Sequence, residues 1–122
     1  MSQVKEIGEK LVAFCKAGEN MKCIDDLYAE DIVSVEAMQG PGGPREQKGI
    51  AAIRQKNEWW SANHEVLRGD VEGPFPHGDD KFAVIFDYDI KRKTDGEQLK
   101  MREIALFHVA NGKIAREEFF YG

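Results

Sequence analysis

The sequence predicts an α+β domain. Three observations carry this. The first half repeats apolar residues at helical spacing, the second half alternates them with period two, and Asp95-Gly96 and Asn111-Gly112 punctuate that second half as hairpin turns do. Helices followed by an antiparallel meander make α+β rather than α/β. At 122 residues the chain is one domain, residues 1–122, with room for one core and one small cavity.

Val4, Ile7, Leu11 and Phe14 recur at i, i+3, i+7 and i+10, the stripe of an amphipathic helix that Gly18 ends. Asn20 is placed to cap a shorter helix carrying Met21, Ile24, Leu27 and Tyr28. Ile32 to Ala37 is rich in β-branched residues and reads as a strand. Gln39 to Pro44 then blocks regular structure with proline and glycine, a loop long enough to form a mouth or lid. Gly49 to Ala62 is a third helix with the inner stripe Ile50, Ile53, Asn57, Trp60. After His64 the chain turns extended until Gly73 to Gly78 interrupts it. Lys81 to Lys93 places Phe82, Val84, Phe86, Tyr88 and Ile90 on one face. Gln98 to Val109 is the return strand, and Lys113 to Tyr121 is the last.

The 17 basic and 22 acidic residues give a net charge of −5. Nucleic acids and anionic membranes both select a basic footprint, so neither is the expected partner. No apolar run approaches the ~20 residues that span a bilayer. The N-terminus lacks the apolar segment of a leader, so a cytoplasmic location is expected. Cys15 and Cys23 fit two reduced, buried thiols. No Cys or His spacing fits a metal, and no GxSxG, Walker or GxGxxG pattern occurs, so neither metal nor cofactor is expected.

Three segments carry a family resemblance: Leu27 to Glu36 (LYAEDIVSVE), Lys48 to Arg54 (KGIAAIR) and Asn111 to Ile114 (NGKI). With the element order, they resemble a SnoaL-like domain of the nuclear transport factor 2-like superfamily, over nearly the whole chain. That group includes polyketide cyclases and ketosteroid isomerases. The resemblance implies a cone-shaped α+β roll, three N-terminal helices packed on a curved antiparallel sheet, with a mostly apolar pocket inside. It is strong on fold and weak on reaction, because one fold hosts many chemistries.

Glu36 lies eight residues after Tyr28. The isomerases' catalytic aspartate follows a Tyr-Ala-Asp-Asp segment at that offset, so the resemblance makes Glu36 a candidate general base. Here the residue is Glu followed by Ala, where the isomerases have Asp followed by Pro. Strand alternation points the other way, since Val33, Val35 and Ala37 form the more apolar face and would turn Glu36 outward unless a bulge intervenes. Catalysis, pocket lining and a solvated charge all stay open for it. By the same resemblance, Asn57 stands where the isomerases have a pocket tyrosine and Tyr28 matches a second one. A satisfied core hydrogen bond is the plainer reading of both. Val12 and Ala13 replace the oxyanion tyrosine of the first helix, so steroid isomerisation itself is not expected.

Glu103 stands out from the residues alone. It shares a strand face with Met101, Ala105, Phe107 and Val109, and an acid on the more apolar face is unusual. It is a candidate oxyanion donor, or the partner of Arg116 or Arg54. The resemblance turns Ala115, Glu117, Phe119 and Tyr121 inward on the last strand. Glu117 and Tyr121 are therefore candidate lining residues. Trp60 is either core packing or a ligand platform, His64 is placed near a mouth, and Tyr88 and Phe107 lie on inner faces. The outer face carries Ile85, Ile104 and Leu106 among charges, which suggests a homodimer packed sheet to sheet. The expected function is acid/base isomerisation, cyclisation or dehydration of a small apolar carbonyl compound, with Glu36 or Glu103 handling the proton. Non-catalytic ligand binding and a protein-interaction module are the alternatives.

Overall fold

The computed structural model describes residues 3–38 and 44–121. The chain runs α1 (Gln3–Lys16), α2 (Asn20–Leu27), β1 (Tyr28–Val35), β2 (Glu46–Lys48), α3 (Ile50–Asn63), β3 (His64–His77), β4 (Lys81–Arg92), β5 (Gln98–Ala110) and β6 (Lys113–Tyr121). The six strands form one open sheet in the order β2-β1-β6-β5-β4-β3. All neighbours are antiparallel except β1 and β6, so the expected antiparallel sheet is mixed at one seam.

Helix α1 buries Val4, Ile7, Gly8, Leu11 and Val12, and its Phe14 packs on the core half-buried. Gly18 takes φ +71°, Gly18 N–H donates to Cys15 O, and Glu19 N–H donates to Phe14 O. These two bonds satisfy the last carbonyls of the helix, so a glycine stops it here. Helix α2 starts one residue earlier than the capping argument requires. Glu19 is the N-cap, it makes no side-chain capping bond, and Asn20 is already helical. Gly49, at φ +91°, precedes α3, whose Ile53 is fully buried.

Strand β1 begins at Tyr28, four residues before the β-branched run, because β6 offers it a parallel ladder. Just after the expected Gln39 to Pro44 loop, Glu46–Lys48 pairs with β1 as a short edge strand, and residues 39–43 lie outside the described residues. Strand β3 continues through the Gly-Pro segment. The ladder with β4 shifts register between Glu72 and Phe75 and then resumes. The β5–β6 hairpin closes on Asn111 and Gly112, both at positive φ, as a two-residue turn between twisted strands requires. A register shift beside Val109 leaves Ala115 without a partner, so Ile114 and Glu117 both turn inward. Strict alternation along the strand, with the Ala115 and Glu117 face turned inward by the resemblance, would put Ile114 outside; the bulge brings it in.

The core lies between α1 and α2 and the inner faces of β3 to β6, with Phe82 stacked on Phe107 at 5.0 Å. Gly8 sets how closely α1 approaches the sheet. A Cβ there would lie 2.7 Å from Pro74 Cβ and 3.2 Å from Phe82 Cδ2. Gly8→Ala should therefore destabilise the fold by about 1–3 kcal/mol through overpacking, although alanine is the better helix former by about 1 kcal/mol. Urea unfolding measures it, and a variant as stable as wild type or more so would refute the close contact.

Candidate functional site

The sheet and the three helices enclose a cavity of about 520 Å³. Its wall is mostly aromatic and aliphatic, with a few polar groups set into it, the usual make-up of a small-molecule site. Helix α3 contributes Lys56, Asn57, Trp59 and Trp60, and the end of β1 contributes Glu36. Strands β4, β5 and β6 contribute Tyr88, Glu103, Phe107, Glu117, Phe119 and Tyr121.

A chain of hydrogen bonds joins β1, β6 and α3 along one wall. Glu117 is 2% exposed and is Ser34's partner in the parallel register. The Tyr28 hydroxyl donates to Glu117 Oε1 at 2.5 Å, and the Ser34 hydroxyl donates to Oε2 at 2.7 Å. Lys56 Nζ donates to Ser34 Oγ and to Glu36 Oε2, both at 2.7 Å, and lies 3.7 Å from Glu117 Oε2. Burial, and then the Glu117 charge, hold the Tyr28 hydroxyl well above its ordinary value, so it stays a neutral donor.

Glu103 occupies another part of the wall, paired in register with Phe86 on β4 and Tyr121 on β6. It is 9% exposed. Among the described residues no lysine or arginine pairs with it: Arg54 is held by Asp25 at 2.6 Å, and Arg116 lies beside Glu118. Burial, followed by the charges of Glu36 and Glu117, pushes its carboxyl up to about 8. Burial and the charges of Glu103 and Glu36 likewise raise the Tyr121 hydroxyl. Burial, with Cys15 and Glu103, pushes Tyr88 up to about 12. At neutral pH the cavity thus holds a protonated Glu103 and an ion-paired Glu36.

His64 lines the cavity where α3 passes into β3. Its ring stacks on Trp60 at 4.7 Å, and its Nδ1 lies 2.9 Å from Trp60 O. A carbonyl can only accept, so Nδ1 carries the proton and Nε2 is the acceptor in the neutral ring. Asn57 donates to Ile53 O at 3.1 Å, which satisfies part of its amide within the helix.

Each sequence candidate, namely Tyr28, Glu36, Asn57, Trp60, His64, Tyr88, Glu103, Phe107, Glu117 and Tyr121, falls on the cavity wall. Glu36 lines the cavity, on the face that apolarity alone would turn outward. Ile32 and Ser34 are buried on its side of β1, and the ladder irregularity lies upstream, between Tyr28 and Val33. Apolarity ranked the faces wrongly because Ser34 finds two partners and is buried without loss. The sequence reading missed Lys56 and Ser34. Lys56 falls at i+3 from Ile53, on the apolar stripe, which was the available signal. It also missed that Cys15 and Cys23, on α1 and α2, add free thiols to the wall, Cys15 only half-buried. No group of His, Cys, Asp and Glu that could hold a metal ion occurs among the described residues, and no helix there is long and apolar enough to cross a membrane.

The family model for SnoaL-like domains matches residues 2–121. The chain belongs to the SnoaL-like family. A solved SnoaL-like relative from Mesorhizobium loti, which bears the provisional name polyketide cyclase, is 43% identical. That match covers 95% of this chain and 97% of the relative, with a TM-score of 0.88. A nuclear transport factor 2-like protein from Burkholderia thailandensis is 16% identical over 100% of this chain and 92% of its own, at a TM-score of 0.83. A provisionally named isomerase from Bacillus subtilis is 17% identical over 98% and 86%, at 0.76. These last two are alike in fold alone. No curated protein matches this SnoaL-like chain.

The SnoaL-like cavity makes stability depend on pH through Glu103. Its carboxyl ordinarily titrates at 4.5 and here is pushed up to about 8. The folded state therefore holds a proton that the unfolded chain releases between those values. The stability contribution is complete below about 4.5 and is lost as pH rises through about 8. Urea unfolding should show stability falling across that window in wild type and a flatter profile in Glu103→Gln. Parallel profiles would contradict the assignment.

Proposed function

We propose that this SnoaL-like protein binds a small, largely apolar carbonyl compound in the cavity and moves a proton within it, in an isomerisation, cyclisation or dehydration. The reading rests on one observation: a single cavity holds two carboxyl groups in opposite environments. Glu36 is ion-paired with Lys56, and Glu103 is buried with no ion pair among the described residues and pushed up to about 8. A carboxyl held by an ammonium and one kept protonated by burial are suited to different halves of one acid/base reaction. Glu36 takes a proton from the carbon next to the carbonyl. Protonated Glu103 donates a hydrogen bond to the carbonyl oxygen as charge develops there. The aromatic wall excludes water and holds the ligand's apolar body. The provisional name of the Mesorhizobium loti relative couples polyketide cyclase with carbohydrate phosphatase, and its first part agrees with chemistry of this kind.

The test is deuterium incorporation next to the carbonyl in heavy water, followed by mass spectrometry, over a panel of cyclic ketones and polyketide-like phenolic ketones. Wild type should exchange at least one compound, and Glu36→Gln should lose about 10²–10⁴ of that rate. The wild-type rate should fall as pH rises through about 8, where Glu103 loses its proton. No exchange across the panel, or an unchanged rate in Glu36→Gln, would contradict the reading. Binding without exchange would indicate a ligand carrier.

We also propose that the outer sheet face joins two copies of the chain. Ile85, Ile104 and Phe120 are register partners in a row across β4, β5 and β6, and Ile104 and Phe120 are each 46% exposed. Such a row fits a self-complementary face. Sedimentation equilibrium should give a dimer, and Ile104→Lys with Phe120→Lys a monomer. A monomeric wild type would refute it.

A further inference from the structure

An ammonium carries three N–H groups. Lys56 spends two of them on Ser34 Oγ and Glu36 Oε2, each at 2.7 Å. Glu117 Oε2, at 3.7 Å, is close enough for ionic attraction but too far for a hydrogen bond. The third N–H remains for the cavity that Lys56 lines, where the Phe119 ring centre lies 5.2 Å away. The position of the ammonium is set from behind. Ser34 donates to Glu117, so its oxygen lone pairs are left for Lys56, and Tyr28 anchors the other oxygen of Glu117. A cation fixed in this way in an apolar cavity needs no rearrangement before it can meet a new charge.

We propose that Lys56 is a catalytic residue that stabilises the oxyanion: its ammonium exchanges the charge of Glu36 for the negative oxygen formed on the substrate. This rests on the proton transfer from carbon to Glu36 proposed above. In that step the C–H bond breaks and an O–H bond forms on Glu36. The C–H electron pair becomes the new C=C bond, and the carbonyl π pair moves onto oxygen. Glu36 becomes neutral at the moment the substrate oxygen becomes negative, so the total charge of the cavity does not change. Lys56 loses one anionic partner and gains another within reach of its free N–H. The attraction is stronger after the transfer than before it, which is the condition for lowering a barrier rather than merely binding substrate. Lys56 and Glu103 then supply two donors to one oxygen.

The experiment reads the charge exchange without turnover. Glu36→Gln reproduces the neutral state that Glu36 reaches after the transfer, and 4-nitrophenolate mimics the oxyanion. Its ionised form absorbs visible light, so bound phenolate and bound phenol are distinguished directly, at a pH where both are populated. Glu36→Gln should bind the phenolate at least about tenfold more tightly than wild type, because one of two anions beside the ammonium has been removed. Adding Lys56→Met should abolish the gain, and adding Lys56→Arg should keep part of it. Melting curves and circular dichroism on every variant establish that it is folded. No gain in Glu36→Gln, no phenolate binding by that variant, or an equal gain with Lys56→Met present would each overturn the role of Lys56. Isotope exchange tests the carbonyl reading separately. Exchange without a phenolate gain removes Lys56 and leaves the proton transfer standing. A phenolate gain without exchange leaves an anion-stabilising lysine in a cavity that does not perform that transfer.

Discussion

Glu117 is a carboxylate removed almost wholly from water at the one parallel seam of the sheet, and the site depends on how it is kept there. An isolated charge in such a place would cost several kcal/mol, so it must be paired and hydrogen-bonded. Two elements supply the three partners: Tyr28 and Ser34 from β1, and Lys56 from α3. Satisfying Glu117 therefore fixes β1 against β6, and α3 over both. Lys56 is held at a set depth, and Glu36, one residue past the end of β1, is fixed by its bond to that lysine. Removing a single member would strand a buried charge, so the network is cooperative by construction.

The part of the wall around Glu103 has the reverse character. Glu103 sits between Phe86 and Tyr121 with no cation beside it, and the negative charges across the cavity add to the cost of its ionisation. The network that stabilises charge at Glu36 and Glu117 thus helps to keep Glu103 neutral. Two environments on one cavity wall thus hold an ion-paired carboxyl and a protonated one from the same residue type. Their separation follows from the fold. The end of β1 is anchored to α3 by the lysine, while Glu103, in the middle of β5, lies between Phe86 and Tyr121 in the ladder.

Much of this was legible in the sequence, for physical reasons. The strands of the meander alternate cleanly because one face of each is buried, so Phe82 to Ile90 and Met101 to Val109 were assigned to the inner face from spacing alone. Glu103 was conspicuous because charge on such a face is expensive. The inward turn of Glu117 needed the resemblance to be read, and the accompanying burial of Ile114 needed the bulge at Ala115, which leaves no mark in composition. Glu36 was ambiguous because the partners that make Ser34 buriable lie more than twenty residues away in sequence. Lys56 was overlooked because a lysine on a helix is ordinarily a solvated group, and only the contacts of folded β1 and β6 make it an interior one. The start of β1 at Tyr28 and the short β2 were hidden likewise, since tertiary pairing rather than local propensity creates them.

The central claim is that Glu103 rests protonated at neutral pH in the cavity that also holds the Lys56–Glu36 ion pair. Carbon-13 NMR of protein labelled at glutamate side-chain carboxyls measures this directly, with Glu103→Gln and Glu36→Gln assigning the two signals. The account predicts a Glu103 signal at the protonated position at neutral pH, titrating near 8. A Glu103 signal that ionises in the ordinary glutamate range would contradict it.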